Sequence, residues 1–130
     1  MFRTLVVRIN ITRLFFFSKV LTEKTKAILI HTPGNPSGKV LAMEELKILA
    51  DFAIENDLFV FTDEIYEYFV YDGLKHVPPA SLPGMRERTI MVSGLSKTYS
   101  ITGWRVGYVI CDANGSTAIG YLTMMPQERI

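Results

Sequence analysis

Four short apolar runs constrain the fold of this chain more than any other feature: AILIH at 27–31, LFVFT at 58–62, TIMVS at 89–93 and VGYVI at 106–110. Each is too short for a helix and apolar at consecutive rather than alternate positions. Such runs are strands covered on both faces, the pattern of a parallel sheet. Between the first two, Leu46, Leu49, Ala50, Ala53 and Ile54 recur at i, i+3, i+4, i+7 and i+8. That spacing predicts an amphipathic helix over 43–56. Glu44 and Glu45 fall in its first turn, where carboxylates suit the positive end of the helix dipole. Ala42 offers no capping oxygen at that end. Residues 71–88 carry Gly73, Pro78, Pro79, Pro83 and Gly84 and read as a loop. Strand, helix and strand in this order predict an α/β architecture with a largely parallel sheet. Ligands in such sheets bind at the carboxyl ends of the strands. Three of the runs lead, within a few residues, to Asn35, Asp63 and Lys97.

Composition narrows the class. A chain of 130 residues with 48% hydrophobic and 21% charged residues is globular and suits one domain. A net charge of +1 gives no general attraction to nucleic acid or an anionic membrane. No apolar run approaches the ~18–20 residues of a membrane span, so no membrane partner is expected. Residues 1–22 contain Arg3, Arg8, Arg13 and Lys19 and no acid. A targeting peptide has that composition, but Val7, Ile9 and Ile11 alternate with polar residues as in a strand. Residues 1–20 therefore read as an extended or poorly ordered N-terminal extension ahead of a domain at 21–130. The single cysteine, Cys111, has no internal disulfide partner, which points to a reducing, cytoplasmic setting. Sequons at Asn10 and Asn114 carry meaning only in a secreted protein.

The loop HTPGNPSGKV at 31–40 has the vocabulary of a phosphate-binding loop without its grammar. Three residues, not four, separate Gly34 from Gly38, and Val40 follows Lys39 where a magnesium-binding hydroxyl belongs. Pro36 also lacks the N–H that such a cradle uses. Lys39 then reads as an incidental, solvent-facing lysine, and Asn35 becomes the informative residue. Taken singly, Asp63 reads as a solvated loop residue or helix cap, Lys97 as a surface lysine, Arg105 as half of an ion pair and Tyr66 as a packing residue. Together they suit pyridoxal phosphate. That cofactor needs a lysine for a Schiff base and a carboxylate to keep its ring nitrogen protonated. It also needs donors near its ring oxygen and a cation with hydroxyls around its phosphate. Lys97, Asp63, Asn35 with Tyr66, and Arg105 with Ser96 supply one of each kind. The spacing Asp63-x-x-Tyr66 sets both side chains on one side of a helical turn.

Residues 21–110 resemble the middle of the class I/II aminotransferases, the fold-type I pyridoxal-phosphate enzymes. The pieces that carry the resemblance are TPGNPSGKV, FTDEIYEYFVYDG, SLPGMRERTI and SGLSKTYSITGWRVGYV, in the family's order. It implies part of a mostly parallel-sheet large domain with helices packed on the sheet. It implies that Lys97 holds the cofactor and moves a proton at the substrate Cα, and that Asp63 pairs with the ring nitrogen. Asn35 and Tyr66 would bond the ring oxygen and Arg105 would hold the phosphate, while Gly103 and Trp104 shape the turn. The implied reaction moves an amino group between an amino acid and a 2-oxo acid, in enzymes that are homodimers at full length. Gly94 departs from the family, which often has a phosphate-binding serine there. The chain is also much shorter than such enzymes and reads as a central piece of one. Two other expectations share these residues: a lyase of the same fold, or a non-catalytic remnant that only binds.

Overall fold

The computed structural model describes residues 3–6, 21–113 and 116–123. Among them, six strands form one sheet in sequence order: β1 (Arg3–Val6), β2 (Thr25–His31), β3 (Phe59–Asp63), β4 (Thr89–Gly94), β5 (Val106–Ala113) and β6 (Ser116–Thr123). Strands β1 to β4 run parallel, and β5 and β6 each pair antiparallel with the strand before. The fold is α/β as expected, but the fourth apolar run reverses direction. The reason lies in its connection. Residues 95–105 hold one helical turn, α2 (Leu95–Thr98), and a 3-10 turn (Thr102–Trp104). That is shorter than the dozen or more residues a parallel crossover takes.

The helix α1 (Met43–Glu55) ends one residue earlier than its spacing predicts, with Asn56 as its cap. Its N-terminus solves the missing cap from within. The Glu45 carboxylate accepts the Ala42 N–H at 2.7 Å and ion-pairs with Lys39 Nζ at 2.8 Å. Lys39 is thus part of the helix entry rather than an incidental lysine. Leu46, Leu49, Ala50 and Ala53 are buried against Ile28 and Ile30 of β2 and Val60 of β3. Leu82 and Met85, from the loop before β4, close the same cluster. Each fully buried Leu or Ile contributes about 1.5–3 kcal/mol relative to an exposed one. Ile54, expected in the apolar stripe, stays 40% exposed beside Gly84.

The sheet register sorts the remaining apolar residues onto the other face. Leu29 is opposite Phe61, Phe61 opposite Ile90, and Ile90 opposite Cys111. On this side Leu29, Phe61 and Ile90 are half-buried, and Phe59 is 51% exposed. The two-sided burial expected of the apolar runs is therefore met on the α1 face alone among the described residues. No described helix is long and apolar enough to cross a membrane. The strand pattern read at Val7–Ile11 and the sequons at Asn10 and Asn114 lie outside the described residues.

Candidate functional site

Parallel pairing sets three strand ends side by side. His31 is level with Asp63, and Asp63 with Val92. Backbone bonds from Thr32 N to Asp63 O (3.2 Å) and Glu64 N to Val92 O (2.9 Å) carry the alignment past the last residues of the strands. The loop after β2 is closed at its base by Thr32 Oγ1, which accepts the Leu41 N–H at 3.1 Å. It is also held by Gly34 N donating to Lys39 O at 2.9 Å. Gly38 has φ +67°, a left-handed conformation that glycine adopts without a Cβ clash. The Thr32–Pro33 and Asn35–Pro36 peptide bonds are cis. At the exposed end of this loop, Asn35 Nδ2 donates to the Tyr66 hydroxyl at 3.2 Å.

At the end of β3 the pleat sends neighbouring carboxylates to opposite sides. Asp63 faces the side away from α1, where its Oδ1 accepts the Ile65 N–H at 3.2 Å. Glu64 is fully buried; it accepts from Thr62 Oγ1 at 2.7 Å and hydrogen-bonds His76. The helical turn expected at Asp63-x-x-Tyr66 is built from i→i+3 bonds, Glu67 N to Glu64 O and Phe69 N to Tyr66 O. It holds the Tyr66 ring between His31 (centroids 5.7 Å apart) and the edge-on ring of Phe69 (5.8 Å). Tyr108 of β5 donates to Glu67 Oε1 at 3.2 Å and so ties this turn to the sheet. Burial raises the Tyr108 phenol above its ordinary pKa, with the Ser93 hydroxyl opposing.

The third strand end supplies the rest. Lys97, in α2, places Nζ 5.8 Å from the Tyr66 ring centroid, within cation–π range. The α2 and 3-10 turns are joined by Thr102 Oγ1 donating to Ser96 O at 3.2 Å. Arg105 follows with φ +53°, a left-handed conformation that costs a non-glycine residue about 1–2 kcal/mol. It leaves the guanidinium exposed, its Nη1 donating to Thr102 O at 3.4 Å. Between these groups lies a cleft of about 310 Å³ whose lining includes Asp63, Ser96, Lys97, Thr102 and Arg105. Gly94 and Gly107 are cross-strand partners in its floor. A Cβ on Gly94 would lie 3.1 Å from Val106 O, so a side chain here would need the neighbouring strand to give by a few tenths of an ångström.

Thus Asp63, Ser96, Lys97 and Arg105 share one cleft, and Asn35 and Tyr66 pair with each other beside Lys97. Trp104 is 76% exposed outside the cleft lining, and nothing packed near Gly103 requires glycine. Sequence reasoning passed over His31, Glu64, His76 and Thr102. The one available signal was parity: Thr62 and Glu64 flank Asp63 and so share the opposite side of the chain. Among the described residues no group of three His, Cys, Asp or Glu is placed to hold a metal.

The family model for class I and II aminotransferases matches residues 17–127. The chain belongs to this family. It is 54% identical over 102 residues to the aspartate aminotransferase of Pyrococcus abyssi, covering 78% of this chain and 25% of that protein. Aromatic-amino-acid aminotransferase 2 of Thermococcus litoralis is 55% identical over 91 residues, 70% of this chain and 23% of its own length. The solved structure of an aromatic aminotransferase from Pyrococcus horikoshii OT3 superposes with a TM-score of 0.74 at 48% identity. That match covers 81% of this chain and 27% of the other. The chain therefore spans about a quarter of the length of the relatives it matches.

The donor set suits the cofactor that the family implies. A carboxylate, a primary amine, and a guanidinium with neighbouring hydroxyls line one cleft, with an amide–phenol pair beside it. The cleft volume falls within the ~300–1,000 Å³ range of small-molecule sites. One further observation fits a guest at Asp63: the neighbouring His31 Nε2 is buried with no hydrogen-bond partner.

Proposed function

We propose that this chain carries the cofactor-holding core of a pyridoxal-phosphate aminotransferase, which moves an amino group between an amino acid and a 2-oxo acid. The observation that carries the reading is the meeting of Asp63, Ser96, Lys97 and Arg105 in one cleft at the carboxyl ends of β3 and β4. When bound, pyridoxal phosphate supplies a protonated ring that delocalises the electron pair left when an amino acid loses its Cα proton.

The chain's own groups divide the remaining work. Asp63 keeps a proton on the ring nitrogen through its carboxylate, whose Oδ1 accepts the Ile65 N–H. Tyr66 accepts from Asn35 and so has its own O–H free to donate toward the ring oxygen. Arg105 and Ser96 bind the phosphate through charge-assisted hydrogen bonds, which are about twice as strong as neutral ones. Lys97 anchors the cofactor and, once its amine is free, moves the proton at Cα. A positioned base of this kind contributes ~10²–10⁴-fold to rate. The homodimeric assembly and the substrates belong to the same proposal, which the family membership and the 54% and 55% identities to two aminotransferases support.

Titrating the chain with pyridoxal phosphate tests the reading. A visible absorbance band that Lys97→Ala removes is expected, and amino acids should convert the bound cofactor to its pyridoxamine form. Equal spectra for the two proteins would overturn the role of Lys97. A band that no amino acid alters would overturn the transferase reading and leave a binding module.

A further inference from the structure

His31 is one of two histidines in the chain, and the chemistry above does not use it. It is the last residue of β2, level with Asp63 at the end of β3, and both side chains leave the sheet on the side away from α1. Its Nε2 is buried without a hydrogen-bond partner, and Asp63 Oδ2 lies 4.0 Å away, just beyond hydrogen-bond reach. An unpaired buried polar nitrogen is costly, so the pair is poised to close. Asp63 Oδ1 accepts the Ile65 N–H, and Oδ2 is the oxygen that lies toward His31.

We propose that His31 is a positioning residue that donates its Nε2–H to Asp63 Oδ2 and sets the direction of that carboxylate toward the cofactor ring. The imidazole is the fixed partner: β2 holds its backbone and the Tyr66 ring packs on it at 5.7 Å, tilted 34°. The Asp63 side chain is 46% exposed and is the one that turns. A carboxylate oxygen has lone pairs for two donors, so Oδ2 takes the imidazole N–H and the protonated ring nitrogen together. His31 is then the neutral Nε2–H tautomer, and Asp63 remains the charged partner of the ring.

This inference rests on the cofactor reading of the cleft, so the test separates the two. The His31 ring nitrogens are followed by long-range ¹H–¹⁵N NMR in the chain alone and with added pyridoxal phosphate. Cofactor affinity is measured for the wild type, His31→Leu and His31→Gln, the last carrying an N–H at similar reach. The expected result is an Nε2–H tautomer whose shift moves on cofactor binding in the wild type but not in Asp63→Ala. Affinity should fall about tenfold in His31→Leu and return to within about twofold in His31→Gln, as for a hydrogen bond to a charged group. A His31 protonated on Nδ1, equal affinities in wild type and His31→Leu, or a His31→Gln as weak as His31→Leu would each overturn the proposal. A wild type that shows no Lys97-dependent absorbance band defeats the cofactor reading instead. The His31 contact is then judged without cofactor, and nitrogen shifts unchanged by Asp63→Ala overturn it. Should His31→Leu fail to fold, the nitrogen shifts and His31→Gln decide: weakened cofactor affinity in His31→Gln overturns the proposal.

Discussion

Asp63 and Glu64 are adjacent in sequence and opposite in environment, and their substitutions should separate accordingly. Asp63→Asn keeps an oxygen for the Ile65 N–H at a half-exposed position, so stability should stay within about 0.5 kcal/mol of wild type. Its cofactor affinity should nonetheless drop, because a neutral amide cannot hold a proton on the ring nitrogen. Glu64→Ala leaves His76 and Thr62 buried without their shared acceptor. Leaving a buried polar group without its partner costs about 1–3 kcal/mol, a loss that urea unfolding will show. Arg105 gives a second split between stability and function. Arg105→Gly removes a left-handed strain of about 1–2 kcal/mol, partly offset by the backbone entropy of glycine. The melting temperature should hold or rise slightly while cofactor affinity falls at least about tenfold, for want of a charge-assisted phosphate contact.

Among the elements, α1 is the part whose energetics follow most directly from its pattern. Leu49 is 1% exposed against β2 and β3, whereas its neighbour Ile48 is 46% exposed. Leu49→Ala should cost about 2–5 kcal/mol in chemical unfolding. Ile48→Ala should stay within about 0.5 kcal/mol. This helix and the strands were legible because burial imposes a period on the residues that form them. Asn35, Asp63 and Lys97 were legible for a related reason, since each follows an apolar run at the edge where a sheet binds ligands. The direction of β5 was not legible, because an apolar run carries no sign of its direction. The short connection 95–105 contained that information, but only as a limit on chain length.

Among the described residues the sheet has one face fully packed and the other half-buried. Leu29, Phe61, Ile90 and Val92 are half-buried there, and Phe59 is 51% exposed. Contiguous apolar surface of this kind drives association. The chain should therefore gain mass with concentration in light scattering, and Phe59→Lys should lower that tendency without a large change in melting temperature. The cleft opens on this same side, since Asp63, Val92, Gly94 and Gly107 belong to it by register. By itself, the sequence determined the α/β class, the helix, four of the six described strands and the residue types that a pyridoxal-phosphate site requires. Periodicity and motif spacing are local, and a single chain displays them without folding. Only the tertiary structure decided which of those residues meet. The parallel register levels His31 with Asp63, and the pleat parts Asp63 from Glu64. The crowding at Gly94 and the left-handed Arg105 also depend on strands distant in sequence being brought together, which no local pattern encodes.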